Sequence, residues 1–202
     1  QASGLIGSPT VPSSFKDVRE GNWDYEKFIG RQIDKLTFGV IGYGRLGKLY
    51  SSYCLVFGAE VIVYDPYKTV ENKYIKQVRS IESLLRNCDV LSFHVHVTDE
   101  TIKMVNKIWF DKMKKDVLLI NTSRGDIILE NDLVEFLKQN KEAKIATDVL
   151  NDEVKNRLKS PLLKFALEND RVIITPHIGG MTQEAQEIAY SHAAKLLVES
   201  FI

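Results

Sequence analysis

The sequence predicts an α/β fold built on a doubly wound parallel sheet. Three observations predict it. Apolar runs of strand length alternate with segments of helical periodicity, a glycine-rich GVIGYGRLG turn joins the first run to the first helix, and several runs end on polar residues. Such alternation implies a parallel sheet whose right-handed crossovers place helices on both faces. Strands buried on both sides read as nearly continuous apolar runs.

Residues 1–35 precede this regularity. A Ser/Pro/Gly stretch is followed by FKDVREGNWDYEKFIGRQIDKL, polar with scattered large apolar side chains, which reads as an arm that packs onto something else. From Leu36, LTFGVIG is the first strand. Leu46, Leu49, Tyr50, Tyr53 and Phe57 then recur at helical spacing, and Gly58 stands where a helix stop is expected. AEVIVYD is the second strand, SIESLLRNC a helix and DVLSFHV the third strand. NKIWFDKM is helical, DVLLINT the fourth strand and ENDLVEFLKQN a helix; AKIATDV, helical SPLLKFALEN and the strand RVIITP come next. The main domain is placed at residues 36–181. Residues 182–202 form an amphipathic helix in which Ala185, Ile188, Ala189, His192, Ala193, Leu196 and Leu197 make one apolar stripe, with His192 read as packing.

The 202 residues are enough to bury a substantial core, and 27 basic residues balance 27 acidic ones. That balance offers no footprint for nucleic acid. No apolar run approaches the ~18–20 residues that span a bilayer. The opening QASGLIGSPTVPSS lacks the basic and apolar regions of a signal peptide, and with no initiator Met it suggests a processed product or a fragment. Cys54 and Cys88 have no metal-ligand spacing and read as buried reduced thiols of a cytoplasmic protein.

Gly42, Gly44 and Gly47 form G-x-G-x-x-G, with Arg45 and Leu46 inside it, at a strand-to-helix junction. This is the setting in which a dinucleotide pyrophosphate meets the free N–H groups of a helix N-terminus. Asp65 closes the second strand 18 residues after Gly47, where an acid bonds ribose hydroxyls and favours NAD over NADP. Asp65 could instead only start a D-P turn, and Lys68 could soften the discrimination. A methyltransferase shares parts of the glycine pattern but would not need the polar set found further along the chain. There, NTSRGD supplies Arg124, TDVLNDE supplies Glu153 and TPHIGG supplies His177, each near a strand end. A guanidinium can grip a carboxylate, and an imidazole can exchange a proton near neutral pH. A carboxylate beside that imidazole orients it and stabilises its charged form. Each also has a plainer role: Arg124 as a loop pin, Glu153 as solvated helix surface, His177 as a helix cap. His94 and His96 share a face, yet no third ligand has suitable spacing, so no metal is expected.

GVIGYGRLG, VIVYDPY, LSFHVHVTDET, LLINTSRGDII, ATDVL and VIITPHIGG stand in the order found in NAD-dependent D-isomer-specific 2-hydroxyacid dehydrogenases, the family of phosphoglycerate and glycerate dehydrogenases. The chain resembles that family over roughly residues 36 to 190. The resemblance implies a Rossmann-like NAD-binding domain, with the family's separate substrate domain largely absent from this chain. It implies Arg124 as the substrate-binding arginine, His177 as the acid/base and Glu153 as its carboxylate partner. It also places Gly42, Gly44, Arg45, Leu46, Gly47, Asp65, Val95, Thr122, Arg124, Asp148, His177, Gly179 and Gly180 along the cofactor, Asp148 toward the nicotinamide carboxamide. The implied substrate is a small 2-keto or D-2-hydroxy acid, and the implied assembly a homodimer in which the N-terminal arm takes part. Two departures stand out: Val154 replaces the family's proline after the Glu, and the family usually has a proline near His96. A non-catalytic NAD-binding module, of the corepressor kind, is the alternative. With the substrate half of the cleft missing, residues 1–202 by themselves are expected to bind cofactor with little or no turnover.

Overall fold

Seven strands pair in parallel in the order β3-β2-β1-β4-β5-β6-β7. This is a computed structural model, and it describes residues 11–200, leaving the start of the Ser/Pro/Gly stretch outside them. The strands are β1 (Thr37–Ile41), β2 (Glu60–Tyr64), β3 (Ile75–Gln77), β4 (Val90–Phe93), β5 (Leu118–Asn121), β6 (Lys144–Thr147) and β7 (Val172–Ile174). The helices are α1 (Val11–Arg19), α2 (Arg45–Val56), α3 (Ile81–Asn87), α4 (Lys107–Phe110), α5 (Glu130–Gln139), α6 (Glu153–Asn156), α7 (Pro161–Ala166) and α8 (Gln183–Glu199). This strand order reverses between β1 and β4, as in dinucleotide-binding sheets. The expected parallel sheet is present.

Side chains alternate across each strand, so the sheet carries an apolar core on each face. Phe38 and Val40 of β1 join Val61, Val63, Cys54 and Ile120 on one face. Ile41 joins Ile62, Leu91, Phe93, Leu119 and Ile145 on the other, under Leu84, Leu133 and Leu137 from α3 and α5. The register fixes this: Phe38 stands opposite Val61 of β2 and Val90 of β4.

The structure departs from the sequence reading in three places. β3 is a seventh strand that the apolar runs did not disclose; it has three residues on the sheet edge, and only Ile75 is buried. On α2 the small side chains Gly47, Ser51 and Cys54 face the sheet. Leu46, Leu49, Tyr53 and Phe57 are exposed, so most of the stripe that identified this helix points away from the core. Small residues allow a close helix–sheet approach, which a stripe of large ones would prevent. Along α8 none of the residues is buried, and the expected packing of His192 is not found. The arm likewise has an unburied α1, with Phe15, Trp23 and Tyr25 exposed.

Beneath the first turn, the His94 ring packs on Tyr50 at 5.0 Å between centroids, with Nε2 2.9 Å from Ser92 Oγ. Burial pushes the His94 pKa down to about 4. An unfolded chain would take up this proton near the ordinary value of 6.5. The contribution of neutral His94 is therefore complete above that value and drains as pH falls toward about 4. Urea unfolding between pH 7.5 and 4 should show this loss, at most about 3 kcal/mol. His94→Gln should flatten it.

Candidate functional site

Parallel strands deliver all their C-terminal ends to one edge, and every residue singled out from the sequence lies on a loop or helix leaving that edge. The loop after β1 turns at Gly42, whose φ of +91° is open mainly to glycine. Its N–H donates to the Tyr64 carbonyl at 2.9 Å. A Cβ at Gly47 would sit 2.0 Å from the Gly42 carbonyl oxygen, so α2 begins directly against the turn. Gly44 caps α2, and a Cβ there would meet nothing within 4 Å. The first N–H groups of the helix, from Arg45, Leu46 and Gly47, have no partner inside it, and its dipole favours an anion beside them. These features form a cradle that fits a dinucleotide pyrophosphate.

Asp65, half-buried at the end of β2, stitches that cradle. Its Oδ2 accepts the Tyr43 N–H at 2.7 Å, and its Oδ1 accepts those of Tyr67 and Lys68 at 2.8 and 2.9 Å. The D-P turn reading is therefore realised, together with a tie to the glycine turn. An open cleft of about 650 Å³ lies alongside, walled by Tyr43, Gly44, Arg45, Lys48, Lys68 and Asn72.

Val95, after β4, accepts the Ser123 hydroxyl on its carbonyl, so the loops after β4 and β5 are joined. His94 and His96 do not converge: the first is held by Ser92, the second is exposed. No cluster of three potential ligands lies among the described residues. After β5, Asn121 folds the next turn. Its amide donates to the Arg124 carbonyl at 3.0 Å, and its side-chain oxygen accepts the Ser123 N–H at 3.1 Å. Thr122 and Arg124 are exposed. The Arg124 guanidinium donates to the Ser123 carbonyl at 2.7 Å. Gly125, next in line, is buried against the chain after β6, where a Cβ would lie 2.0 Å from the carbonyl carbon of Leu150.

The loops after β6 and β7 meet at Asp148. Its Oδ1 accepts the Thr175 hydroxyl and the Ile178 N–H, the latter at 2.9 Å; its Oδ2 accepts the Gly179 N–H at 2.7 Å. Between those donors His177 adopts a φ of +56°, a left-handed conformation that costs a non-glycine residue of order 1 kcal/mol and persists only where neighbours hold it. The His177 Nδ1 is hydrogen-bonded to Glu153 Oε1, while Glu153 Oε2 accepts the Leu150 N–H at 3.0 Å. Burial raises the Asp148 pKa, but the Thr175 hydroxyl, the two N–H groups and the His177 charge outweigh it and hold the carboxyl below its ordinary range.

The structure thus brings Glu153 and His177 into contact and leaves Nε2 of the imidazole available. Arg124, Glu153 and His177 come after the adjacent strands β5, β6 and β7. Among the described contacts none joins Arg124 to the pair. Gly179 and Gly180 are exposed beside it. Sequence reasoning missed Asn121, Ser123, Gly125 and Thr175, which build the loops that carry the others. The Asn-Thr-Ser run at a strand end was an available signal for an Asx turn.

Residues 9–179 match the family described as D-isomer specific 2-hydroxyacid dehydrogenase, NAD binding domain. The chain is 37% identical over 184 residues to the D-3-phosphoglycerate dehydrogenase of Archaeoglobus fulgidus, covering 90% of this chain and 34% of that one. To the D-3-phosphoglycerate dehydrogenase of Haemophilus influenzae it is 36% identical over 201 residues, covering 96% and 47%. It therefore spans between a third and a half of these two relatives. Among solved structures, the D-lactate dehydrogenase of Aquifex aeolicus complexed with NAD and lactic acid superposes with a TM-score of 0.87 at 33% identity, over 98% of this chain and 62% of that one.

If Asp148 holds the His177 loop as its contacts indicate, Asp148→Asn should speed amide exchange at Ile178 and Gly179 by about tenfold or more, equivalent to ~1.4 kcal/mol. The depressed pKa sets the sign with pH. In the wild type this protection is complete above the ordinary value of 3.8 and is lost as acid protonates the carboxylate.

Proposed function

Because the chain belongs to the D-isomer specific 2-hydroxyacid dehydrogenase family, through that family's NAD-binding domain, we propose that it takes part in reversible reduction of a 2-keto acid to a D-2-hydroxy acid. The observation that carries this reading is the Glu153–His177 pair at the C-terminal edge of β6 and β7, on the same edge as the glycine cradle. NAD, when bound, supplies or accepts the hydride. The cradle of Gly42, Gly44 and Gly47 with the first turn of α2 would hold its pyrophosphate. Asp65 and the cleft beside it would take the adenosine end, with Val95 along the same groove. Thr122, Asp148, Gly179 and Gly180 would line the nicotinamide end.

In the reductive direction His177 gives a proton from Nε2 to the carbonyl oxygen as that oxygen gains charge. In the oxidative direction the same nitrogen removes the hydroxyl proton. Glu153 fixes the ring through Nδ1 and stabilises the charge it carries in between. Arg124, exposed on the neighbouring loop, would grip the substrate carboxylate through paired N–H groups. The relatives from Archaeoglobus, Haemophilus and Aquifex are named as dehydrogenases, which speaks against a non-catalytic module.

The buried free thiols Cys54 and Cys88 suit a reducing compartment, the cytoplasm. No helix among the described residues is long and apolar enough to cross a membrane. A homodimer is proposed through the exposed apolar side chains of α2, including Leu49, Tyr53 and Val56, together with α1 of the arm.

Titration with NADH, monitored by fluorescence, should show binding to the 202-residue chain, and His177→Ala should leave that affinity within about threefold. In the complete gene product, assayed by NADH oxidation with a panel of 2-keto acids, the same substitution should lower kcat by about 10²–10⁴. Unchanged turnover would remove His177 from the acid/base role. Sedimentation should give a dimer that Tyr53→Glu converts to monomer.

A further inference from the structure

Glu130, in the first turn of α5, is buried, with 6% of its surface exposed, and its hydrogen bonds go to none of the residues proposed for the reaction. Its two oxygens have separate assignments. Oε1 accepts the Asn151 N–H at 2.9 Å, and Oε2 accepts the Ser160 hydroxyl at 2.6 Å. Ser160 in turn caps α7, accepting the Leu163 N–H at 3.0 Å. Asn151 and Ser160 are the two ends of the excursion that carries α6, and Glu153 is the first residue of α6.

We infer that Glu130 is a positioning residue: it clamps both ends of this excursion and so sets Glu153 against His177. The inference rests on the Glu153–His177 acid/base reading and deepens it. The physical case begins with exposure. α6 is a single turn with no buried residue, so apolar packing gives it little hold of its own. It also starts from Asp152 at a φ of +48°, a conformation its neighbours must maintain. What fixes the segment is therefore polar and sits at its ends. Gly125 supplies the floor, its lack of a Cβ letting the backbone of Leu150 and Asn151 come close. Glu130 supplies the clamp. A carboxylate on the first turn of a ten-residue helix is favoured by the dipole, which offsets part of the cost of burying it. Its bonds to neutral donors are charge-assisted and stronger than those of an amide. The Leu150 N–H, one residue before the clamp, is the donor held by Glu153 itself. Movement at Asn151 is therefore passed directly to the carboxylate that orients His177.

The test uses imidazole ¹⁵N spectra of the 202-residue chain, which report the hydrogen bond at Nδ1 of His177. Glu153→Ala should abolish the wild-type Nδ1 signature. Glu130→Ala should lose it in large part and speed amide exchange at Leu150 and Asn151 at least tenfold. Glu130→Gln, which keeps an oxygen for Asn151, should restore exchange to within about threefold of wild type. A signature lost in Glu153→Ala but intact in folded Glu130→Ala overturns the inference and leaves the pair standing. A signature unmoved by Glu153→Ala overturns the pair itself. Should Glu130→Ala not fold, Glu130→Asp withdraws the carboxylate by one methylene from the Asn151 N–H and the Ser160 hydroxyl, and an unchanged signature there overturns the inference equally. In the complete gene product, Glu130→Ala should lower kcat with the KM for NADH unchanged, and should add less than twofold to the effect of Glu153→Gln.

Discussion

Parallel pairing is the constraint on which the rest of this structure depends. A strand that must run beside its neighbour in the same direction cannot return by a tight turn, so each link crosses a face of the sheet. Seven strands obeying that rule bring all of their C-terminal ends to one edge. The reversal between β1 and β4 then parts the loops on that edge. The glycine turn and Asp65 fall on one side. Arg124, Glu153 and His177 fall on the other, on three successive strands.

Loops that leave a parallel sheet carry backbone N–H groups with no ladder to enter, and each needs an acceptor. Here acidic side chains meet that need repeatedly. Asp65 takes three N–H groups from two loops; Asp148 takes two and a hydroxyl; Glu153 and Glu130 each take one near Leu150. Each acid joins segments that are distant in sequence, so the edge is a connected polar frame. Residues assigned to ligands, such as Asp65 and Asp148, are at the same time its joints.

Six strands were legible from their apolar runs, which most of them show because they are buried on both faces. β3 was not, since Ile-Lys-Gln holds one apolar residue and makes no run, whereas β7, also at an edge with one buried residue, is apolar throughout. Helical spacing marks residues of α2 and α8, yet most of the apolar side chains it picks out lie exposed. On α2 the sheet selects Gly47, Ser51 and Cys54, and periodicity alone does not say which face is inward. In the site, motifs around His177 and Glu153 led to a pair that is in contact in the structure. Asn121, Gly125 and Glu130 escaped, because what they do depends on partners brought near by folding, and no local pattern records Gly125 lying against Leu150.

The left-handed backbone at His177 sets stability and chemistry against each other. A folding requirement alone would place glycine or asparagine there, since both adopt that conformation at lower cost. Selection for a firmer fold would thus replace the imidazole, and the proposed proton transfer would be the opposing pressure that keeps it.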